Sequence, residues 1–162
     1  MGLNAFTSVY PGMSFRLGNQ AVLKFNGKEI SVKALWDTGA TRTCISKEVV
    51  TALNLIPLGK QNMLTPSGTS IANTYLIDVF LPNNVTVHDL VVCDSEIGVQ
   101  GIGALIGMDI IALGDFAVSN YGGKTAFTFR TPSQKRTDYV TEIKIQNTVG
   151  PKHGRGKGYS NK

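Results

Sequence analysis

Asp37 ends an apolar run, Ala34-Leu35-Trp36, and is followed directly by Thr38-Gly39-Ala40-Thr41. An acid in that position is costly to bury unless it is hydrogen-bonded or used in chemistry. Gly39 lets the backbone turn and lets another group approach with no Cβ in the way. A carboxylate is a group that can act as a general acid or base. By itself the tripeptide is short, and a plain turn after a strand is the competing reading. Other chemistries are poorly supplied. His88 stands in a strand-like run without clustered donors and His153 in a basic terminal stretch, so neither opens a metal site. Cys44 and Cys93 are too few and too far apart for a zinc signature, and read as buried reduced thiols. There is no Gly-x-Ser-x-Gly elbow and no Walker loop. Gly101-Ile102-Gly103 before Gly107 has the wrong spacing for a dinucleotide loop and no βαβ unit around it. The expectation is a protein with no metal and no cofactor.

The elements that must position Asp37 read as strands. Ala21 to Phe25 and Glu29 to Leu35 flank Asn26-Gly27, the strongest short signal for a type I′ hairpin, and the second arm runs straight into Asp37. Thr41 to Ile45 continues in strand-favouring residues, and Ser46 heads a short helix over Lys47 to Leu53, ended by Asn54 and Pro57. Met63 to Ile71 carries Pro66 and Gly68 in turn positions and reads as a polar-tipped hairpin, a candidate flap. Tyr75–Leu81 and Val85–Cys93 pair around Pro82-Asn83-Asn84. Ala104-Leu105-Ile106 is a short buried strand that meets Gly107 and passes into a helical turn ending at Gly114. Phe116–Ser119 and Ala126–Phe129 form a last hairpin.

With 162 residues, 42% hydrophobic and 17% charged, the chain is one mostly uncharged globular domain with a tail. Its charge is lopsided: residues 1–129 carry eight basic and nine acidic side chains, residues 130–162 eight and two. The segments expected are 1–19, without a readable pattern; 20–129, the folded domain; 130–146, with one possible extra strand in Thr137–Ile145; and 147–162, a basic flexible tail. No apolar run is long enough to cross a bilayer, since Ile97–Val118 is broken by Gln100, Asp109, Asp115 and glycines. The start lacks the pattern of a signal peptide, and cysteine usage demands no oxidising compartment, so a cytoplasmic location is expected.

Three motifs in this order carry a resemblance: Trp36-Asp37-Thr38-Gly39-Ala40-Thr41, the flap-like Thr65-Pro66-Ser67-Gly68-Thr69, and Ala104-Leu105-Ile106-Gly107-Met108-Asp109. Over about Gln20 to Phe129 the chain resembles the retropepsin family of single-domain aspartic peptidases. The resemblance implies a mostly β, closed-barrel fold, half of the acid-protease architecture, with one or two short helices. It implies that Asp37 activates water, that Thr38, Gly39 and Ala40 support its loop, and that Thr65, Pro66, Ser67, Gly68 and Thr69 close over an extended polypeptide. Leu105, Ile106 and Gly107 would be scaffold beside the aspartate loop. Thr41-Arg42-Thr43 and Met108-Asp109 depart from the viral pattern and look like the cellular and bacterial branch.

The chain contains a single Asp-Thr-Gly. Two carboxylates sharing one proton can supply both the base and the acid of peptide hydrolysis, so the expectation is a homodimer with one Asp37 from each copy. The alternative is a catalytically silent module of this fold that binds peptides or proteins. The basic tail offers a third, weaker reading, contact with nucleic acid.

Overall fold

The Asn26-Gly27 hairpin forms as the sequence predicts, with φ of 45° and 75° at its two turn residues. The protein is seen as a computed structural model that describes residues 2–65 and 68–149. Its strands are β1 (Asn4–Val9), β2 (Gly18–Phe25), β3 (Lys28–Trp36), β4 (Cys44–Ser46), β5 (Gly59–Thr65), β6 (Gly68–Leu81), β7 (Val85–Ser95), β8 (Ala104–Ile106), β9 (Asp115–Ser119) and β10 (Ala126–Thr131). The helices are α1 (Lys47–Leu53), α2 (Met108–Ile111) and α3 (Tyr139–Val149).

Six strands close on themselves in the order β2-β3-β8-β4-β7-β6, because β2 also pairs with β6 through Val22↔Phe80, Leu23↔Val79 and Lys24↔Asp78. This is the mostly β closed barrel expected from the sequence. Closure removes the open edges that a sheet of this size otherwise presents. The strands alternate inward apolar and outward polar residues: Ala21, Leu23, Val32, Ala34, Ile77, Val79 and Ile106 all point into the core. β5 lies outside the ring as the second arm of a hairpin with β6, in register from Gly59↔Thr74 to Thr65↔Gly68. The arms are longer than the sequence suggests; Pro66 and Ser67, at the expected tip, lie outside the described residues.

A second sheet, β1-β10-β9, shares one hydrophobic core with the barrel. Its aromatic side chains meet the strand that carries the aspartate. Trp36 stacks on Phe116 with centroids 5.2 Å apart and the planes 4° from parallel, and lies 5.1 Å from Phe129 and 5.8 Å from Phe6. Its indole Nε1 donates to Asn19 Oδ1 at 2.6 Å, so the ring is fixed at both its apolar body and its polar edge. The segment 1–19 is unreadable as a sequence, yet within it residues 4–9 belong to the folded unit: β1 pairs with β10 from Asn4↔Thr131 to Val9↔Ala126, and Phe6 is buried. Phe6→Ala is expected to cost about 3–5 kcal/mol, the range for emptying a packed aromatic site. Urea denaturation followed by tryptophan fluorescence measures it, since Trp36 is the only tryptophan.

The extra strand expected within Thr137–Ile145 is a correction: residues 139–149 form α3, the third helix where one or two were expected. Val140, Ile143 and Ile145 favour strands as residue types. Asp138 overrides them, its Oδ1 accepting from the amides of Val140 (3.0 Å) and Thr141 (3.2 Å) as a helix-capping side chain does. The segment expected as a tail begins inside this helix at residues 147–149, and its remainder, 150–162, lies outside the described residues. His88, expected as a satisfied strand histidine, has Nδ1 3.3 Å from Asp78 Oδ1.

Candidate active site

β3 delivers Asp37 to the end of the barrel, where the chain leaves the sheet. β8 runs parallel to β3 in the register Ala34↔Ala104, Leu35↔Leu105 and Trp36↔Ile106. The ladder continues one residue further, with the Asp37 amide donating to the Ile106 carbonyl at 2.9 Å. The two motifs, seventy residues apart in sequence, are thus strand neighbours. Beyond Asp37 the chain turns tightly. The Gly39 amide donates to Asp37 Oδ1 at 2.8 Å, and the Ala40 amide to the Asp37 carbonyl at 3.2 Å. A Cβ on Gly39 would lie 3.1 Å from that same Oδ1, so glycine keeps the approach open. Asp37 and Ala40 are half-buried, while Thr38 and Gly39 are exposed.

A second layer of bonds locks this loop. The Met108 amide donates to the Ala40 carbonyl at 2.8 Å. The Thr43 amide donates to Asp109 Oδ2 at 2.8 Å and the Thr43 hydroxyl to Asp109 Oδ1 at 2.7 Å. The Gly107 amide closes the set by donating to Thr43 Oγ1 at 3.1 Å. Thr43 is fully buried, so this clasp satisfies groups that would otherwise be costly to desolvate. It also bears on a difference from the sequence reading: residues 41–43 are not strand, the amide and hydroxyl of Thr43 being committed to Asp109 and Gly107, and β4 starts only at Cys44. Thr43 and Asp109 were missed as site supports. Their signal was the departure Gly107-Met108-Asp109 itself, a carboxylate two residues past a glycine that touches the aspartate loop.

Beside the loop is a cavity of about 340 Å³ between Ala40–Arg42, Gln61–Met63 of β5, and the thiols of Cys44 and Cys93. The two cysteines face each other in the parallel pairing of β4 with β7, and both are free and buried, as the sequence implied. Burial, then the neighbouring Cys93 and the carboxylates of Asp109, Asp94 and Asp37, push the Cys44 thiol up to about 12. Burial raises Cys93 as well. Both are neutral thiols at physiological pH and act as apolar wall, not as nucleophiles.

Among the flap residues expected from sequence, the backbones of Thr65 and Gly68 face each other across the β5–β6 hairpin, followed outward from the tip by Leu64↔Thr69. Gln61 and Met63 of the same hairpin reach the cavity. Leu105 is half-buried and Ile106 fully buried, both in β8. Among the described residues no cluster of three or more His, Cys, Asp or Glu could hold a metal, and no helix is long and apolar enough to cross a membrane.

Among solved structures, a retropepsin-like aspartic protease from Rickettsia conorii is 13% identical, with 80% of this chain and 95% of that one covered and a TM-score of 0.49. The Simian Foamy Virus (mac) protease is 19% identical over 58% of this chain and 92% of its own, with a TM-score of 0.41. The retroviral protease-like domain of Ddi1 from Leishmania major is 15% identical over 60% and 78%, with a TM-score of 0.38. No curated protein matches the chain in sequence. The family of gag-polyprotein putative aspartyl proteases matches residues 21–112, which span β2 through α2 and so take in both Asp37 and Gly107. That match covers more than half of the chain and all of the site described above: the chain belongs to the gag-polyprotein putative aspartyl protease family.

Proposed function

We propose that the protein is an aspartic endopeptidase that hydrolyses peptide bonds in extended polypeptides, using a water held between the two Asp37 carboxylates of a homodimer. The observation that carries the proposal is the placement of Asp37 at the mouth of a strand, its carboxylate half-exposed and its loop held by β8 and the Thr43–Asp109 clasp. The chain has one Asp-Thr-Gly, so a second copy must supply the other carboxylate. Two like charges that close cannot both ionise readily, and the pair holds one proton between them. The ionised carboxylate takes a proton from the water as its oxygen bonds to the scissile carbonyl carbon. The protonated one gives its proton to the carbonyl oxygen. Collapse of the tetrahedral species breaks the C–N bond, and the amine leaves with a proton. The pair titrates as a unit, so the pH profile belongs to both aspartates.

In this reading Thr38 bonds across the dimer axis, Gly39 and Ala40 leave room for the substrate chain, and the β5–β6 hairpin closes over it, adding backbone hydrogen bonds and excluding water. Leu105, Ile106 and Gly107 are scaffold. The reading keeps the protein in the cytoplasm, supported by cysteine usage alone.

The test is digestion of an unfolded protein and a peptide library from acid to neutral pH, with a transition-state-mimicking inhibitor in parallel. Cleavage suppressed by the inhibitor, with specific activity that falls on dilution below the dimer dissociation constant, is the expected result. Peptide binding without turnover at every pH would establish the silent binding module instead.

A further inference from the structure

The cavity beside the Asp37 loop carries one charged side chain, and it is a cation. Arg42 lines it together with Thr41, Gln61, Asn62 and the two thiols, none of which is ionised. All eleven Asp and Glu side chains of the protein fall within the described residues, and none forms a salt bridge with Arg42. The carboxylates whose charge reaches the cavity wall are engaged elsewhere. Asp109 is held by the amide and hydroxyl of Thr43. Asp94 accepts from the Asn73 amide at 2.8 Å, from Asn73 Nδ2 at 3.2 Å and from the Tyr75 hydroxyl at 3.3 Å. Asp37 accepts from Gly39. Arg42 itself is exposed, yet its charge is felt at Cys93 in the cavity wall, where it opposes the effect of burial.

We propose that Arg42 selects substrates carrying a carboxylate side chain, Asp or Glu, close to the scissile bond. The inference rests on the peptidase reading above and names its substrate class. Guanidinium is permanently charged and matches a carboxylate through two parallel N–H···O bonds, a geometry that a lysine side chain or an amide cannot reproduce. The surrounding wall of neutral thiols, Met63 and Ala40 excludes water from part of the pair, which strengthens it relative to an open surface. A basic side chain entering the same space meets a like charge and is rejected, so discrimination comes from repulsion as well as attraction. In a symmetric dimer the cavity occurs twice, once on each side of the cleavage point, and acidic residues are accepted on both flanks.

The test is a set of peptides identical except for Glu, Gln or Lys at each position flanking one cleavage point, read as kcat/KM for the full-length wild type, Arg42→Gln and Arg42→Glu. The wild type is expected to prefer Glu over Gln by about 10- to 100-fold at its best position, the value of a hydrogen-bonded charge. Arg42→Gln should erase that ratio, and Arg42→Glu should invert it in favour of Lys, a gain that a merely damaged protein could not show. Cleavage with the same ratios in all three proteins overturns the assignment. The same peptides are also titrated against full-length Asp37→Asn and Asp37→Asn/Arg42→Glu by fluorescence anisotropy. If no peptide is ever cleaved but the binding preference inverts, the peptidase reading fails while the role of Arg42 stands. If binding shows no charge preference, the role of Arg42 falls whatever the cleavage assay gives.

Discussion

Asp37→Asn is expected to lower kcat for peptide cleavage by at least about 10²–10⁴-fold, the contribution of a positioned acid or base, while leaving the fold and its thermal midpoint essentially unchanged. The substitution keeps the shape of the side chain. An asparagine carbonyl oxygen can still accept from the Gly39 amide, which Asp37 Oδ1 now does at 2.8 Å. The amide with Ile106 is a main-chain bond and does not depend on the side chain. What is lost is the ability to take a proton from water. Mixing wild type and variant then separates a shared site from two independent ones. Random pairing at equal amounts leaves about a quarter of the dimers with both aspartates. Activity should therefore fall to about a quarter of that of the wild type at the same total concentration. A fall to about a half would mean that each chain works alone, and the paired-carboxylate mechanism would be wrong.

Gly107→Ala is the second large effect, and it has a different origin. The backbone of Gly107 has φ of −96°, which any residue adopts, so conformational freedom is not the issue. Space is: a Cβ there would lie 2.5 Å from the Arg42 carbonyl carbon, 2.6 Å from its oxygen and 2.9 Å from the Thr43 nitrogen. These are main-chain atoms that cannot swing aside as a flexible side chain would. Relief requires moving the 41–43 segment, which breaks the Thr43–Asp109 clasp and loosens the loop that carries Asp37. A loss of about 1–3 kcal/mol or more is expected from overpacking, together with a fall in kcat that exceeds any change in KM. Chemical denaturation and steady-state kinetics read the two parts separately. Gly12→Ala is the control: its Cβ would meet nothing within 4 Å, and the change should stay within about 0.5 kcal/mol.

The parts of this fold that were legible in the sequence are those governed by local signals. Asn26-Gly27 specifies its hairpin because both turn residues must take positive φ. The apolar run before Asp37 and Ala104-Leu105-Ile106 of β8 were visible as strands, the first ending at Asp37 and the second at Gly107. The parts that were not legible depend on partners distant in sequence. Asn4–Val9 is strand because β10, more than a hundred residues later, offers it a ladder, and Phe6 is buried because Trp36, Phe127 and Phe129 surround it. Nothing within residues 1–19 announces either fact. For α3 the strand propensity of its β-branched residues outweighed, on paper, the capping aspartate that decides the matter in the structure. The Asp109 carboxylate was seen only as a departure from a pattern. Its purpose became visible once α2 placed it on the Thr43 amide and hydroxyl.

The insertion of β8 between β3 and β4 has a consequence in time. The chain is made from its N-terminus, so Asp37 and its turn are synthesised long before Ile106, Gly107 and Asp109 exist to hold them. β1 likewise waits for β10. Contacts of such long sequence separation form late, after the loops between them have closed. An emerging chain therefore carries Asp37 without the β8 ladder and the Thr43–Asp109 clasp that frame its loop. On the proposed function, a cutting site would be completed only when the barrel is and a second finished copy has joined it, which would spare unfinished chains nearby from being cleaved by one another.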